Sequence, residues 1–456
     1  MKGYGLVLSG GGAKGSYEIG VWKALQDLDI PITAVTGTSI SALNGAMLVQ
    51  GDEDLCELAW TNFSVEQIID VDENQWQEKK VYEKHFNIFN IFKSMFSSEK
   101  MELTPLKDTL DEYINEERIR DSYIDFGLVT FSLSDLKPIQ VFKDEIPKGQ
   151  FVDYLVASAC FPVFKPIEID DKKYIDGGFY DNVPVSLIES KGIDDVIVVD
   201  ISGFVPKSKC SDDLNIIKIK SEHDLGKTLE ISPKQAKRNI QLGYLDTMKA
   251  FKIVKGKIYY LVPNISNNEE PDIGTIPRSE IRKNLGISKD TPKAIKRFIT
   301  YKFFRIIESH MDIEMDTNTA ICSAMAEMTA EIFEIEKNNI YTLKDLNYKI
   351  LTTFYEICNS KEYEEYVKKI EYIVEEKQMK GYRTKLRSEI KDNKKLLLAY
   401  FSQDTKNKSQ WNKLKRITTI IEPDLMIASL YLSMILDLNK GNLSKHQLMG
   451  KTEGYI

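Results

Sequence analysis

The first half of the chain alternates short apolar runs with segments whose apolar residues recur at helical spacing. Residues 3–8 read as a buried strand, followed by the glycine-rich turn Ser9-Gly10-Gly11-Gly12-Ala13-Lys14-Gly15-Ser16. Residues 17–28 carry Ile19, Val21, Trp22, Leu25 and Leu28 on a helical face. A second strand over 32–35 leads into Gly37, and a small-residue helix runs on toward Gly51. Further on, the pattern predicts a strand pair at 126–132 and 139–142, a helix over 151–158 and a short strand at 173–175. Buried strands follow at 196–199 and 215–219. Residues 233–251 have the signature of a helix, with Ser232 as N-cap and Pro233 at the first position. A strand over 258–262 closes the series. Strands alternating with helices predict an α/β fold around a largely parallel sheet.

The pattern changes after residue 265. Residues 265–292 are polar and proline-bearing and read as a linker, and residues 293–456 show long helical patterns with few strand signals. The expected organisation is a catalytic domain over 1–264, this linker, and an all-helical C-terminal domain or extension. Two segments stand out. Residues 86–96 hold four phenylalanines and a methionine, which suits a lipid-facing lid or, more plainly, a core helix. Residues 425–438 are apolar but too short to span a bilayer, and read as a buried helix.

Composition narrows the choice of partner. The chain has 456 residues and a formal net charge of -8, which argues against nucleic acid as the main partner. Its cysteines (Cys56, Cys160, Cys210, Cys322, Cys358) are scattered, odd in number and form no Cys-x-x-Cys, so free thiols are expected rather than disulfides or a zinc site. The four histidines are dispersed, and no metal or other cofactor is expected. No signal-peptide pattern follows Met1, and the expectation is a cytoplasmic protein.

The candidate chemistry lies in three turns. Gly37-Thr38-Ser39-Ile40-Ser41 has the strand–turn–helix setting of a nucleophile elbow, with Ser39 at its apex and Ser41 at the place of the second glycine. Gly10-Gly11-Gly12-Ala13-Lys14-Gly15 satisfies Gly-x-Gly-x-x-Gly. On its own this suits either a dinucleotide site or an oxyanion hole, since both need backbone N–H groups that an anion can approach. Asp176-Gly177-Gly178 follows a strand and exposes a carboxylate, although as an isolated motif it is an ordinary turn.

Together, in this order, the three motifs resemble the patatin-like phospholipase family. Residues 157–162 (Ala-Ser-Ala-Cys-Phe-Pro) and Asn182-Val183-Pro184 add to the likeness, which covers roughly residues 3–262. The resemblance implies a three-layer α/β/α fold with a mostly parallel central sheet and hydrolysis of lipid acyl esters without a metal. It implies a Ser–Asp dyad, with Ser39 as nucleophile and Asp176 as proton acceptor. Gly10, Gly11, Gly12 and Lys14 match the oxyanion-hole turn, and Gly15, Gly37, Ser41, Gly177 and Gly178 complete the motifs. Lys14 stands where the family often has arginine, and Ser41 where it has glycine.

Three other readings compete. A triad of Ser39, Asp200 and His223 keeps the order seen in α/β-hydrolases. A nucleotide-binding protein would use Gly10–Gly15 alone and leave Ser39 and Asp176 without a role. A catalytically silent scaffold would account for Ser41 and the long helical region, against the intact Ser39 and Asp176. The expected partner is a phospholipid or another acyl-ester lipid, which brings peripheral contact with the inner membrane face. The basic segment 383–395 is a candidate for that contact, and a solvated helix face is the plainer account of it.

Overall fold

The computed structural model describes residues 3–62, 102–202, 211–262 (without 212 and 231), 281–375 (without 283, 288–290, 313 and 314), 382–403 and 408–449. The aromatic run 86–96 lies outside the described residues. The chain divides into two compact units, Met1–Lys252 and Ile253–Ile456.

The first unit is a three-layer α/β/α arrangement around a sheet of eight strands. These are β1 (Tyr4–Leu8), β2 (Ile32–Thr38), β3 (Asp125–Ser132), β4 (Lys137–Phe142), β5 (Ile167–Ile169), β6 (Lys172–Asp176), β7 (Asp195–Val199) and β8 (Asn215–Ile219). The order is β5-β6-β3-β2-β1-β7-β8, with β4 paired to β3. Pairs β1–β2, β2–β3, β1–β7 and β7–β8 are parallel, and β3–β4, β3–β6 and β5–β6 are antiparallel. The central strands β1, β2, β3 and β7 are almost wholly buried and read as near-continuous apolar runs, as expected when helices cover both faces.

The flanking helices described are α1 (Ser16–Asp27), α2 (Ile40–Gln50), α3 (Glu53–Asn62), α4 (Thr104–Tyr113), α5 (Glu116–Asp121), α6 (Phe151–Ser158), α7 (Val185–Glu189) and α8 (Pro233–Ala250). Helix α2 ends at Gly51, whose φ of 81° is the left-handed conformation that suits glycine at a helix C-terminus. Ser232 caps α8 by accepting from the N–H of Gln235. Helices α1 and α8 cross at van der Waals limits. A Cβ on Gly20 would lie 1.8 Å from the Ile240 carbonyl oxygen, and one on Gly243 would lie 2.0 Å from the Tyr17 oxygen. Tyr17 spans the same contact and donates its hydroxyl to Asp246 Oδ2 at 2.8 Å.

The units part at Lys252, ahead of the boundary expected near residue 264. The strand expected over 258–262 shrinks to β9 (Tyr260–Leu261) and pairs in parallel with β10 (Ile340–Tyr341) of the second unit. Tyr259 and Leu261 are core residues there, so burial assigns this strand to the helical unit. Most of the expected linker lies outside the described residues, while Leu285 and Ile287 pack into the same core.

The described helices of the second unit are α9 (Lys293–His310), α10 (Thr317–Ile332), α11 (Leu343–Cys358), α12 (Lys361–Glu375), α13 (Tyr382–Asp392), α14 (Lys394–Ser402), α15 (Lys408–Ile421) and α16 (Pro423–Met449). The apolar run at 425–438 lies in α16 and is largely buried from Leu425 to Leu436, while Leu438 is exposed. Among the described residues no helix is long and apolar enough to cross a membrane. In the basic segment, Lys394 pairs with Glu422 at 2.7 Å and Lys395 with Glu334 at 3.4 Å, so part of its charge is already matched within the unit.

The α1–α8 crossing fixes the helix that carries the glycine turn at its start. Gly20→Ala is expected to lower stability by about 1–3 kcal/mol through overpacking, measured as a shift of the urea midpoint.

Candidate active site

Strand register brings the three motifs to one place. Leu8 at the end of β1 lies opposite Gly37, and Thr38 at the end of β2 lies opposite Val129. On the other side of β3, Thr130 lies opposite Asp176. The glycine turn and the elbow therefore open side by side from parallel strands. Asp176 reaches the same level on an antiparallel strand that runs back along β3.

At the elbow the backbone turns with no room to spare. A Cβ on Gly37 would lie 2.4 Å from the Ser41 carbonyl oxygen, so only glycine lets α2 fold back so closely on β2. Ser39 has φ 64° and ψ −138°, a strained conformation for a residue with a side chain. Such strain costs of order 1–3 kcal/mol and persists where the surroundings over-determine it. Here the Ser39 N–H donates to Ser158 Oγ at 3.0 Å, and the Ser158 hydroxyl donates to the Val129 carbonyl at 2.7 Å. The apex is thus tied to α6 and β3.

The strained turn lifts the Ser39 hydroxyl toward β6, where it donates to Asp176 Oδ2 at 2.6 Å. The other carboxylate oxygen of Asp176 accepts from the Gly178 N–H at 2.7 Å. Its backbone is held as well, with the Asp176 N–H donating to the Cys160 carbonyl at 2.8 Å. A Cβ on Gly177 would lie 2.3 Å from the Val129 carbonyl oxygen, which accounts for the glycine beside the aspartate. Asp176 is 3% exposed. Burial raises its carboxyl to about 6, against the lowering effect of the Ser39 and Gly178 bonds.

The glycine turn leans on the elbow. A Cβ on Gly10 would lie 3.2 Å from Ser39 Cβ and 2.4 Å from Asn182 Oδ1. The Gly10 N–H donates to the Asn182 carbonyl at 3.1 Å, so this donor is engaged and does not point to a substrate oxygen. Asn182 also donates from Nδ2 to the Gly10 carbonyl at 2.9 Å. In a trans peptide the C=O and the next N–H point in opposite directions, so this bond fixes where the Gly11 N–H is aimed. Among the described residues, the N–H groups of Gly11 and Gly12 have no acceptor. Gly12, at φ 60°, begins the single 3-10 turn Gly12–Gly15 that holds Lys14 and Gly15. Asn182 and Ser158, both inside sequence motifs, are supports whose partners the sequence does not reveal.

The rival arrangements are not assembled. Asp200 is buried, which raises its pKa, but the bonds from Lys218 and Ser202 outweigh this and hold it below the usual carboxylate range. Lys218 Nζ lies 2.8 Å from Asp200 Oδ2, and the Ser202 hydroxyl donates to Oδ1 at 2.7 Å. The Ser39 hydroxyl is given to Asp176, so it is not part of a triad with Asp200 and His223. The dinucleotide reading meets an obstruction at the turn: the Ala13 N–H donates to the Thr228 carbonyl at 2.7 Å, which occupies the helix start a pyrophosphate would need.

Residues 6–188 match the family model described as patatin-like phospholipase. Among curated relatives, the patatin-like phospholipase domain-containing protein 7 of Rattus norvegicus is 25% identical over 201 residues, 43% of this chain and 13% of that protein. The patatin-like phospholipase domain-containing protein 6 of Mus musculus is 25% identical over 280 residues, 59% of this chain and 19% of that protein. The chain thus spans less than a fifth of these relatives' length. Among solved structures, that of VipD from Legionella pneumophila aligns over 96% of this chain and 92% of that one, with 16% identity and a TM-score of 0.33.

Ser158→Ala removes the acceptor for the Ser39 N–H and the donor to Val129 together. It is expected to cost about 1–3 kcal/mol, measured by urea denaturation, with no change in the denaturant dependence.

Proposed function

Starting from a first unit that resembles the patatin-like phospholipase family over residues 6–188, we propose that the protein is a serine lipid acyl hydrolase of the phospholipase A or lysophospholipase type. The observation that carries this reading is the 2.6 Å bond from Ser39 Oγ to Asp176 Oδ2 at a strained elbow.

In this reading Asp176 accepts the Ser39 proton as Oγ attacks the ester carbonyl. A carboxylate raised to about 6 stays ionised at neutral pH yet is a better proton acceptor than an ordinary aspartate. The oxyanion that develops takes the N–H groups of Gly11 and Gly12, whose directions are set before substrate arrives. Asp176 returns the proton to the leaving alcohol or lysolipid, and an acyl–Ser39 ester remains. Water, activated by the same carboxylate, releases the fatty acid. Ser39 precedes the first turn of α2, so the N-terminal end of that helix favours negative charge at the reacting centre. The substrate is a phospholipid or a related acyl ester, met by peripheral contact with a membrane surface from the cytoplasm.

Ser39→Ala and Asp176→Asn are each expected to lower kcat by at least about a thousandfold while the fold is kept. Only the wild type should be labelled at Ser39 by a fluorophosphonate probe. Near-normal turnover in either folded variant refutes the dyad. The wild-type rate is expected to rise from the acid side with a midpoint near pH 6, since Asp176 accepts a proton only when ionised.

A further inference from the structure

Ser41, the residue that departs from the elbow pattern, lies at the centre of a buried polar cluster beneath the nucleophile. Its hydroxyl oxygen is 2.9 Å from the Ser9 carbonyl oxygen and 2.7 Å from Glu18 Oε1. Ser41 and Glu18 are both fully buried. On the far side, Asn44 Nδ2 donates to Glu18 Oε2 at 2.7 Å and to the Gly15 carbonyl at 2.9 Å. Asn44 Oδ1 accepts from Trp60 Nε1 at 3.0 Å and from the Cys56 thiol at 3.6 Å.

A count of protons decides the state of this cluster. A serine hydroxyl has one hydrogen to give. The Ser9 carbonyl can only accept, and so can an ionised carboxylate. Were Glu18 ionised, one of the two short contacts of Ser41 would set lone pair against lone pair among fully buried residues, at the full cost of an unsatisfied buried group. With one proton on Glu18 every contact is a bond: Glu18 Oε1–H donates to Ser41 Oγ, Ser41 donates to the Ser9 carbonyl, and Asn44 donates to Glu18 Oε2.

We propose that Glu18 is a neutral carboxylic acid and a positioning residue, which through Ser41 fastens the Ser9 carbonyl and so holds the oxyanion turn in register with the nucleophile elbow. The Ser9–Gly10 peptide is gripped from both sides, its C=O by Ser41 and its N–H by the Asn182 carbonyl. This peptide leads into Gly11 and Gly12. Loss of the Glu18 proton would draw the Ser41 hydrogen to the carboxylate and release the Ser9 carbonyl.

The charged and titratable surroundings agree. Burial raises the Glu18 carboxyl to about 8, against the bonds from Ser41 and Asn44. From α3 it is faced by Cys56, whose thiol is pushed upward by burial first and then by Glu18 and Glu53. The charges nearest on α1 are met elsewhere, Lys23 by Glu57 and Asp27 by the Tyr244 hydroxyl of α8. Asp246 of α8 is taken by Tyr17. From the turn itself comes Lys14, which has no bond to Glu18. No lysine or arginine forms an ion pair with Glu18 among the described residues.

The test compares wild type, Glu18→Gln and Ser41→Ala, with one readout independent of catalysis. An acid neutral when folded and ionised when unfolded gives stability that is complete below the ordinary glutamate range and fades as pH rises to about 8. The urea midpoint of the wild type, relative to Glu18→Gln, is therefore expected to fall between about pH 5 and about pH 9. A difference that stays flat over this range overturns the proposal. Infrared spectra of the wild type alone, showing a protonated carboxyl at neutral pH that disappears on the alkaline side, serve if the variant fails to fold. Absence of that band likewise overturns it.

The positioning role rests on the hydrolase reading and is tested by the alkaline limb of ester hydrolysis. Wild-type kcat is expected to drop about tenfold from neutral pH to about pH 9, with KM little changed. Glu18→Gln, whose amide can donate to Ser41 at any pH, is expected to lose that limb. Ser41→Ala is expected to lower kcat throughout. An identical alkaline limb in Glu18→Gln removes the positioning role. Absence of any hydrolysis by the wild type removes the hydrolase reading instead, while the stability comparison still decides the proton.

Discussion

The first unit depends on how closely backbone segments approach one another at the end of β2. Helix α2 folds back on its own strand so tightly that the place of a Gly37 Cβ is taken by the Ser41 carbonyl. That approach forces Ser39 into a positive φ and directs its hydroxyl away from the helix it precedes. The same economy recurs at Gly177 against Val129 and at Gly10 against Asn182 and Ser39. At Gly37 and Gly177 the missing side chain lets one piece of backbone reach another, at Gly10 it makes room for the side chains of Asn182 and Ser39, and the site is the sum of these approaches. Hydrogen bonds hold these approaches in place, that of Ser158 at the Ser39 apex and those of Asn182 at the Gly10 turn.

Two buried carboxyls sit on either side of this turn and their surroundings assign them different work. Asp176 has the Ser39 hydroxyl and the Gly178 N–H as partners, and burial shifts it only as far as the edge of neutrality. Glu18 lies under the elbow, bonded to Ser41 through one carboxyl oxygen and to the Asn44 amide through the other, and is shifted much further. Burial is the larger cause in both, and two hydrogen bonds oppose it in each. The serine that departs from the expected elbow glycine thus adds an anchor: it fits because its side chain enters a polar cavity already lined by Ser9, Glu18 and Asn44.

Much of the fold was legible because periodicity is local. The helices over Phe151–Ser158 and Pro233–Ala250 follow from apolar spacing and capping residues with little dependence on context, whereas the strand Asn215–Ile219, expected to be buried, forms at the end of the sheet and is largely exposed. The strand around Tyr260 was harder to place. Its apolar pattern is compatible with either unit, and only the burial of Tyr259 and Leu261 among helices of the second unit assigns it. The basic stretch at 383–395 is visible as charge, but the partners of Lys394 and Lys395 come from helices distant in the chain.

By itself the sequence determined the alternating α/β framework, the three glycine-bearing turns, and Ser39 and Asp176 as the residues to bring together. These are properties of residue type and short-range spacing, and steric rules for glycine and helical caps act over a few residues. Tertiary structure decided the rest. It returned Asp176 on an antiparallel strand to the level of Ser39, which depends on pairing with β3. It gave the Gly10 N–H to Asn182, so one of the donors expected of the glycine turn is already engaged. It also set Glu18 beneath Ser41, a contact between two helices. Register, burial and the counting of protons in a closed cavity are relations between segments far apart in sequence, so no local pattern encodes them.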